Sequence, residues 1–252
     1  MPIPVEIING KKTFTVLENN PEVMTPLAHK LGLSPSLQFY DVYSLTEPSL
    51  LSLIPRPVLA LLVIIPFTPS WHEDRIAEDA DKLPYAGKGD EEPVVWFMQT
   101  IGHACGSIGL VHCLLNGPAK EHILPGSFLE KLREEAIPLG MEDRAKLLHD
   151  SKEFEDAHQS VAEVGDTAAP SAAAGDKLGQ HFVAFVKEGG KLWELEGGRM
   201  GPLDRGGLGE DEDVLSERAI SLGLGRVIEL EKNGGGNDLR FSCIALAGKA
   251  EE

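Results

Sequence analysis

The sequence has 252 residues and is strongly acidic, with 40 Asp and Glu against 23 Lys and Arg and a formal net charge of −17. Such a chain repels phosphate backbones and anionic lipid surfaces, so we expect no nucleic acid and no membrane among its partners. Hydrophobic residues make up 42 % of the sequence, enough for a sizeable core, and the length alone is compatible with one or two domains.

The three cysteines are too few, and odd in number, for a disulfide framework. The first residues show no signal peptide, and the most apolar segment, residues 50–67, is interrupted by prolines and an arginine. These features predict a protein of the reducing cytoplasmic compartment.

The first part of the chain predicts a short hairpin or a mobile arm over residues 1–16, with a turn at Asn9-Gly10. Pro21 opens a helix that Gly32 closes. Apolar runs predict strands over residues 39–43 and 58–65, the second covered on both faces. Residues 68–92 are polar and acidic and predict a surface loop.

The rest of the chain alternates strands and helices, which indicates an α+β fold. Strands are predicted over residues 94–98, 181–186, 191–196, 226–230 and 240–246, and helices over residues 105–116, 127–135, 141–164 and 214–222. Residues 165–179 form a low-complexity stretch that predicts a flexible loop, or a linker if there are two domains.

Cys105 is the strongest candidate for a nucleophile. It lies at the predicted start of a helix, where the helix dipole stabilises a thiolate and lowers the pKa of the thiol. Its small neighbours Ala104 and Gly106 would let a substrate backbone approach. Gln99, at the end of the preceding predicted strand, could direct its amide towards a developing oxyanion, together with the backbone N–H of Cys105.

His181 is the best candidate for the base among the eight histidines. It opens a predicted hairpin whose second strand ends at Glu196. A turn centred between Glu188 and Gly189 places His181 opposite Glu196, and a turn centred on Gly189-Gly190 makes the two residues diagonal neighbours on the same face. In either register Glu196 could hold the imidazole as the third member of a triad.

Other interpretations compete with a thiol site. A cysteine near a helix start is often only a small core residue. His103, Cys105, His112 and Cys113 could in principle hold a metal, but their spacing matches no common zinc pattern, so we expect no metal and no cofactor. The pair His112 and Cys113 is better explained as helix packing.

Several segments resemble the ubiquitin C-terminal hydrolases, a papain-like family of cysteine peptidases. The segment QTIGHACGSIGLVHCLLN (99–116) resembles the nucleophile motif of that family, and HFVAFVKEGGKLWELEGG (181–198) resembles its hairpin of histidine and acid. The resemblance continues, in order, through ENNPEVMTPLAHKLGLSP (18–35), EDRAKLL (142–148) and DLRFSCIALA (238–247).

The resemblance implies four catalytic residues. Cys105 matches the nucleophile, His181 the base and Gln99 the oxyanion glutamine. Glu196 occupies the position of the acid, which in the family is usually Asp, and Asp204 is a weaker alternative for that role. The longer side chain of Glu196 leaves the geometry of the third member open.

The resemblance also implies an architecture and an activity. The expected fold is a single catalytic domain over residues 1–252, with a central antiparallel sheet flanked by helices, a knotted backbone, and a crossover loop over the active site at about residues 150–178. The expected enzyme is a monomeric deubiquitinase that cleaves small adducts or peptides from the C-terminal glycine of ubiquitin. Two alternatives are a ubiquitin-binding module with weak turnover and a hydrolase of a ubiquitin-like protein such as Nedd8.

Overall fold

The computed structural model describes residues 4–166, 179–234 and 240–250. The strands are β1 (Glu6–Ile8), β2 (Lys11–Thr13), β3 (Leu37–Asp41), β4 (Val58–Pro66), β5 (Gln180–Glu188), β6 (Lys191–Leu195), β7 (Leu203–Gly207) and β8 (Ser242–Gly248). The α-helices are α1 (Pro21–Leu31), α2 (Pro48–Leu51), α3 (Pro69–Asp79), α4 (Cys105–Leu115), α5 (Phe128–Ala136), α6 (Met141–Asp150), α7 (Lys152–Gln159), α8 (Glu217–Leu222) and α9 (Leu224–Asn233), with a 3-10 helix at Gly117–His122. No helix in these ranges combines the length and the apolar character that crossing a bilayer demands.

Six strands form one sheet in the order β3-β8-β4-β5-β6-β7, and all neighbouring pairs are antiparallel. The central strand β4 is apolar on both faces: Ala60 and Leu62 belong to one hydrophobic core, and Leu61, Val63 and Ile65 belong to a second. Helices α1, α4, α5 and α7 supply the first core, and α3, α8 and α9 supply the second. The predicted α+β fold with a central antiparallel sheet flanked by helices is confirmed.

The N-terminal hairpin and the first helix are confirmed as well. Asn9 (φ 51°) and Gly10 (φ 78°) both adopt positive φ, as a two-residue hairpin turn requires. Helix α1 begins after Asn20, whose side chain accepts a hydrogen bond from the Glu22 N–H, and ends at Gly32 in the left-handed conformation.

Three predicted elements are wrong in type: the loop over residues 68–92 and the strands over residues 226–230 and 94–98. The sequence predicts a loop over residues 68–92, but they contain α3, which begins where the Thr68 hydroxyl accepts a hydrogen bond from the Trp71 N–H. The strand predicted over residues 226–230 is instead part of α9. The buried residues of this helix, Leu224, Val227 and Glu231, follow the helical spacing, which the β-branched pair at 227–228 obscures in the sequence.

Residues 94–98 are not a strand, although their composition predicts one. The segment is largely buried, and side chains bond the backbone of Val95 and Phe97. Asn116 accepts from the Val95 N–H (2.7 Å) and donates to the Val95 carbonyl (2.9 Å), while Nε2 of His112 accepts from the Phe97 N–H (2.9 Å). Side chains of α4 and its cap thus replace a neighbouring strand.

Smaller differences concern element boundaries. The predicted helix over residues 141–164 breaks at Ser151, whose hydroxyl caps α7 by accepting from the Phe154 N–H (3.1 Å). Strand β7 has no counterpart among the predicted elements, and α8 starts three residues later than expected, after its cap Ser216. Most of the predicted flexible stretch, residues 167–178, lies outside the described residues.

Candidate active site

Cys105 is the first residue of α4 and is partly exposed. The chain reaches it through a tight bend, with His103 at φ 56°. Gly102 lies against β2, where a side chain would not fit: a Cβ at Gly102 would lie 2.7 Å from the hydroxyl oxygen of Thr13. The sequence therefore exposes the thiol at a helix N-terminus, where the dipole favours the thiolate.

His181 and Glu196 come together through the register of the β5–β6 hairpin. Glu188 pairs with Lys191 and Ala184 pairs with Leu195, so the turn is centred on Gly189-Gly190. This is the second of the two registers considered from the sequence. His181 and Glu196 are diagonal neighbours, and His181 Nε2 forms a hydrogen bond with Glu196 Oε1.

The imidazole of His181 and the thiol of Cys105 line the same cleft, and each shifts the pKa of the other. Burial alone would raise the pKa of the Cys105 thiol, but the polar contact and charge of His181 outweigh it, and the pKa is lowered. The pKa of His181 is raised, because the charge of Glu196 and the contact with Cys105 outweigh burial. The site therefore favours a thiolate–imidazolium pair.

Glu196 is completely buried and has several partners besides His181. Its Oε2 pairs with the Arg75 guanidinium, and its Oε1 accepts from the Gly198 N–H (2.6 Å). Burial would raise the pKa of this carboxyl, but His181 and Arg75 lower it to about 2. Glu196 is thus ionised at neutral pH despite its burial.

Gln99 lies where the chain before Cys105 crosses the chain after Glu196. Its backbone N–H donates to the Gly197 carbonyl (2.7 Å), and a Cβ at Gly197 would lie 2.9 Å from Cβ of Gln99. The amide nitrogen of Gln99 donates to the Ile101 carbonyl (3.1 Å), which leaves its second N–H for another acceptor.

These side chains line one cleft of about 610 Å³. Gln99, Cys105 and His181 form its floor, and the β1–β2 hairpin contributes a wall that includes Ile8 and Lys11. The hairpin is fixed there because the Phe14 N–H donates to the Gly102 carbonyl (2.9 Å). No pattern in the sequence indicates that this hairpin borders the site.

Of the competing residues, Asp204, His112 and Cys113 lie outside this cleft, whereas His103 lines it. Asp204 is on β7 and pairs with Lys191 (2.6 Å). His112 and Cys113 are fully buried on α4, and the Cys113 thiol donates to the Leu61 carbonyl (3.5 Å). Burial raises the pKa of the Cys113 thiol and of the Cys243 thiol. Within the described ranges, no three His, Cys, Asp or Glu side chains are grouped to hold a metal ion.

Arg75 is the main component of the site that the sequence did not reveal. It lies on α3, in the segment for which the sequence predicts a loop. The dipeptide Thr68-Pro69, a capping residue followed by proline at the first helical position, was the signal that could have indicated this helix.

A thiol, an imidazole and a carboxylate in series around one cleft define the site of a cysteine-type hydrolase. Comparison with known proteins agrees. Residues 14–226 match the family model described as ubiquitin carboxyl-terminal hydrolase, family 1. The chain is 33 % identical to ubiquitin carboxyl-terminal hydrolase 3 of Arabidopsis thaliana, over 95 % of this chain and 96 % of the relative. It is 34 % identical to the human isozyme L1, over 91 % and 96 % of the two chains.

The chain therefore belongs to ubiquitin carboxyl-terminal hydrolase family 1, a family of cysteine-type deubiquitinases. Its fold is similar to that of the Trichinella spiralis UCH37 catalytic domain, a structure solved with ubiquitin vinyl methyl ester bound. The TM-score is 0.69 at 22 % identity, and the match covers 94 % of this chain and 96 % of that one.

Proposed function

We propose that this protein cleaves small adducts or peptides from the C-terminal glycine of ubiquitin. Cys105 is the nucleophile, His181 is the base, and the carboxylate of Glu196 orients the imidazole. The observation that carries the proposal is that Cys105 and His181 line one cleft and that His181 is hydrogen-bonded to the buried Glu196, in a chain of this family. The ubiquitin vinyl methyl ester bound in the related Trichinella structure supports ubiquitin as the partner.

The reaction is acyl transfer in two steps. The Cys105 thiolate attacks the carbonyl carbon of the C-terminal glycine of ubiquitin, while the amide of Gln99 and the Cys105 N–H donate to the oxyanion. The tetrahedral intermediate collapses, the bond to the leaving amine or thiol breaks, and His181 gives that group its proton. His181 then takes a proton from a water molecule, which attacks the thioester. The C–S bond breaks, ubiquitin leaves with a free C-terminal carboxyl group, and the Cys105 thiolate is regenerated.

The same proposal includes the organisation of the chain. Residues 1–252 form one catalytic domain, since both hydrophobic cores share one sheet. The crossover loop expected at about residues 150–178 begins with α7, which is anchored beside the nucleophile: His158 bonds the Ser107 hydroxyl (2.5 Å) and the Thr15 carbonyl (2.7 Å). We also propose that the protein acts as a monomer in the cytoplasm.

Release of aminomethylcoumarin from the C-terminus of ubiquitin tests the proposal. The wild-type protein should release the fluorophore, and Cys105→Ser should abolish release while ubiquitin binding persists. An electrophilic ubiquitin probe should label Cys105 and leave the buried Cys113 and Cys243 unmodified. A wild-type protein that binds ubiquitin but releases nothing would refute the hydrolase and favour a binding module. Competition with Nedd8 distinguishes the two modifiers as substrates.

A further inference from the structure

The two carboxylate oxygens of Glu196 have separate partners. Oε1 contacts His181 and accepts from the Gly198 N–H, and Oε2 contacts Arg75. Rotation of the carboxylate away from the imidazole would break all three contacts at once. The contact of Arg75 with Oε2 therefore helps to hold the Glu196 carboxylate in the orientation that contacts His181.

Arg75 is itself held in place. Its guanidinium carbon lies 4.8 Å from the centroid of the Trp71 ring, within the range of a cation–π contact. The ring of Trp71 in turn lies 6.2 Å from the imidazole of His181. One turn further along α3, Glu78 pairs with Arg199 and Arg205, which fixes the helix against the region after β6.

A glutamate in this position needs such a partner more than an aspartate would. Its side chain has one more rotatable bond, and its charge is completely removed from solvent, so an unpaired carboxylate would be costly. Gly198 leaves room for the pair: a Cβ there would lie 3.0 Å from Oε1 of Glu196 and 3.1 Å from a guanidinium nitrogen of Arg75.

We propose that Arg75 is a positioning residue for the reaction, which fixes the carboxylate of Glu196 so that a glutamate can orient the imidazole of His181. This inference rests on the proposed function. It assigns to α3 a part in a site otherwise built from α4 and the β5–β6 hairpin.

The test is a double-mutant cycle of Arg75→Gln and Glu196→Gln, read by release of aminomethylcoumarin from ubiquitin. Arg75→Gln alone should lower kcat about tenfold and leave KM within about twofold, because orientation is lost and substrate contacts are not. In the Glu196→Gln background the same change should alter kcat by less than about twofold, since no carboxylate remains to be positioned.

Arg205→Gln is the matched control. Arg205 is buried to a similar degree, with 10 % of its side chain exposed against 15 % for Arg75, and it pairs with Glu78 and Glu194. Its loss should leave kcat within about twofold, because Glu78 keeps its ion pairs with Arg199 and Arg226 and α3 stays in place. Arg75→Lys, which keeps the charge, should recover most of the rate, and it decides the question if Arg75→Gln does not fold.

Alkylation of Cys105 by iodoacetamide near neutral pH separates this inference from the proposed function. Arg75→Gln should slow alkylation severalfold and Arg205→Gln should not, whether or not ubiquitin is a substrate. A folded Arg75→Gln that keeps both its kcat and its alkylation rate would overturn the inference, as would an equal loss of kcat in the Glu196→Gln background. If the wild-type protein releases the fluorophore and Arg75→Gln releases it equally fast, the proposed hydrolase function holds and this inference is refuted.

Discussion

The two sides of the cleft are built in different ways. The β5–β6 hairpin, which carries His181 and precedes Glu196, is held by a regular ladder of backbone hydrogen bonds. The segment 94–98, which leads to Gln99 and Cys105, is held by the side chains of Asn116 and His112. A backbone ladder tolerates many side chains, whereas a segment held by side chains depends on a few particular residues.

The largest expected effect is on kcat and comes from replacing His181, which separates the chemical role of the hairpin from its structural role. His181→Asn should lower kcat by about a thousandfold, because no group remains to form the ion pair with the thiol. The variant should still fold, because the ladder does not use the imidazole, and any loss of stability should come only from the lost contact with the buried Glu196.

Activity and urea denaturation would measure both quantities. His72→Asn is the matched control, since His72 is an exposed histidine on α3 that lies against Phe67. A His181 variant with wild-type turnover would remove this residue from the mechanism.

Removal of Asn116 tests the other side of the cleft, where side chains hold the segment 94–98. Asn116→Ala deletes three hydrogen bonds, to the Val95 N–H and to the carbonyls of Val95 and His112, and leaves buried backbone groups unpaired. We expect it to lower the free energy of unfolding by about 3 kcal/mol.

A truncation in the hairpin is the control for Asn116. Lys191→Ala removes only an exposed ion pair with Asp204 and should cost less than about 0.5 kcal/mol. Equal losses in the two variants, measured by urea denaturation, would contradict the contrast between ladder and side-chain support.

The point where the two sides cross gives an intermediate effect. Gly197→Ala would push a methyl group to within 2.9 Å of Cβ of Gln99. We expect a loss of about 2 kcal/mol in stability from this overpacking. The displaced Gln99 should also lower kcat by about tenfold.

Gly248→Ala is the matched glycine control for this crossing, because its added Cβ meets nothing within 4 Å and its φ is not positive. Both variants can be compared by denaturation and by fluorophore release. A Gly197 variant as active and stable as Gly248→Ala would show that the crossing can relax without consequence.

The smallest expected effect is a loss of stability at acidic pH, which comes from the buried His112. Burial lowers the pKa of His112 from 6.5 to about 3. Below about pH 6.5 the unfolded chain binds a proton at this histidine that the folded chain does not. The free energy of unfolding therefore falls as the pH is lowered through this range. Between about pH 7 and about pH 5.5 His112 should account for a loss of about 1 kcal/mol.

Replacement of His112 tests its share of the acid sensitivity. His112→Gln keeps an acceptor for the Phe97 N–H and does not titrate, so its stability should fall less over the same interval. His158, whose pKa burial lowers to about 4, adds a similar loss in both proteins. Identical losses by denaturant titration would contradict the assignment to His112.

The contrast between the two sides also explains what could be predicted from the sequence. The hairpin follows from two apolar segments joined at Gly189-Gly190, and β4 follows from its unbroken apolar run, so the type of these elements could be predicted. The sequence left two registers open for His181 and Glu196, and the structure adopts the diagonal one. The segment 94–98 has the composition of a strand. Only the three-dimensional structure shows that Asn116 and His112 take the place of its neighbours.

Helix α3 escapes prediction for a different physical reason. Trp71 is its only buried residue, so it has no apolar stripe, and its place is fixed by ion pairs of Arg75 and Glu78 with distant parts of the chain. Such pairs leave no periodicity in the sequence. Arg75 was therefore beyond sequence reasoning, although the thiol and imidazole it indirectly serves were not.

The crossing at Gly197 has a consequence for motion. The Gln99 N–H is bonded to the Gly197 carbonyl (2.7 Å), and the Trp96 indole N–H is bonded to the Glu196 carbonyl (3.1 Å). A displacement of the hairpin end would carry Gln99 with it. We therefore expect the hairpin end and the segment before Gln99 to move together, as one unit, when a ligand shifts this side of the cleft.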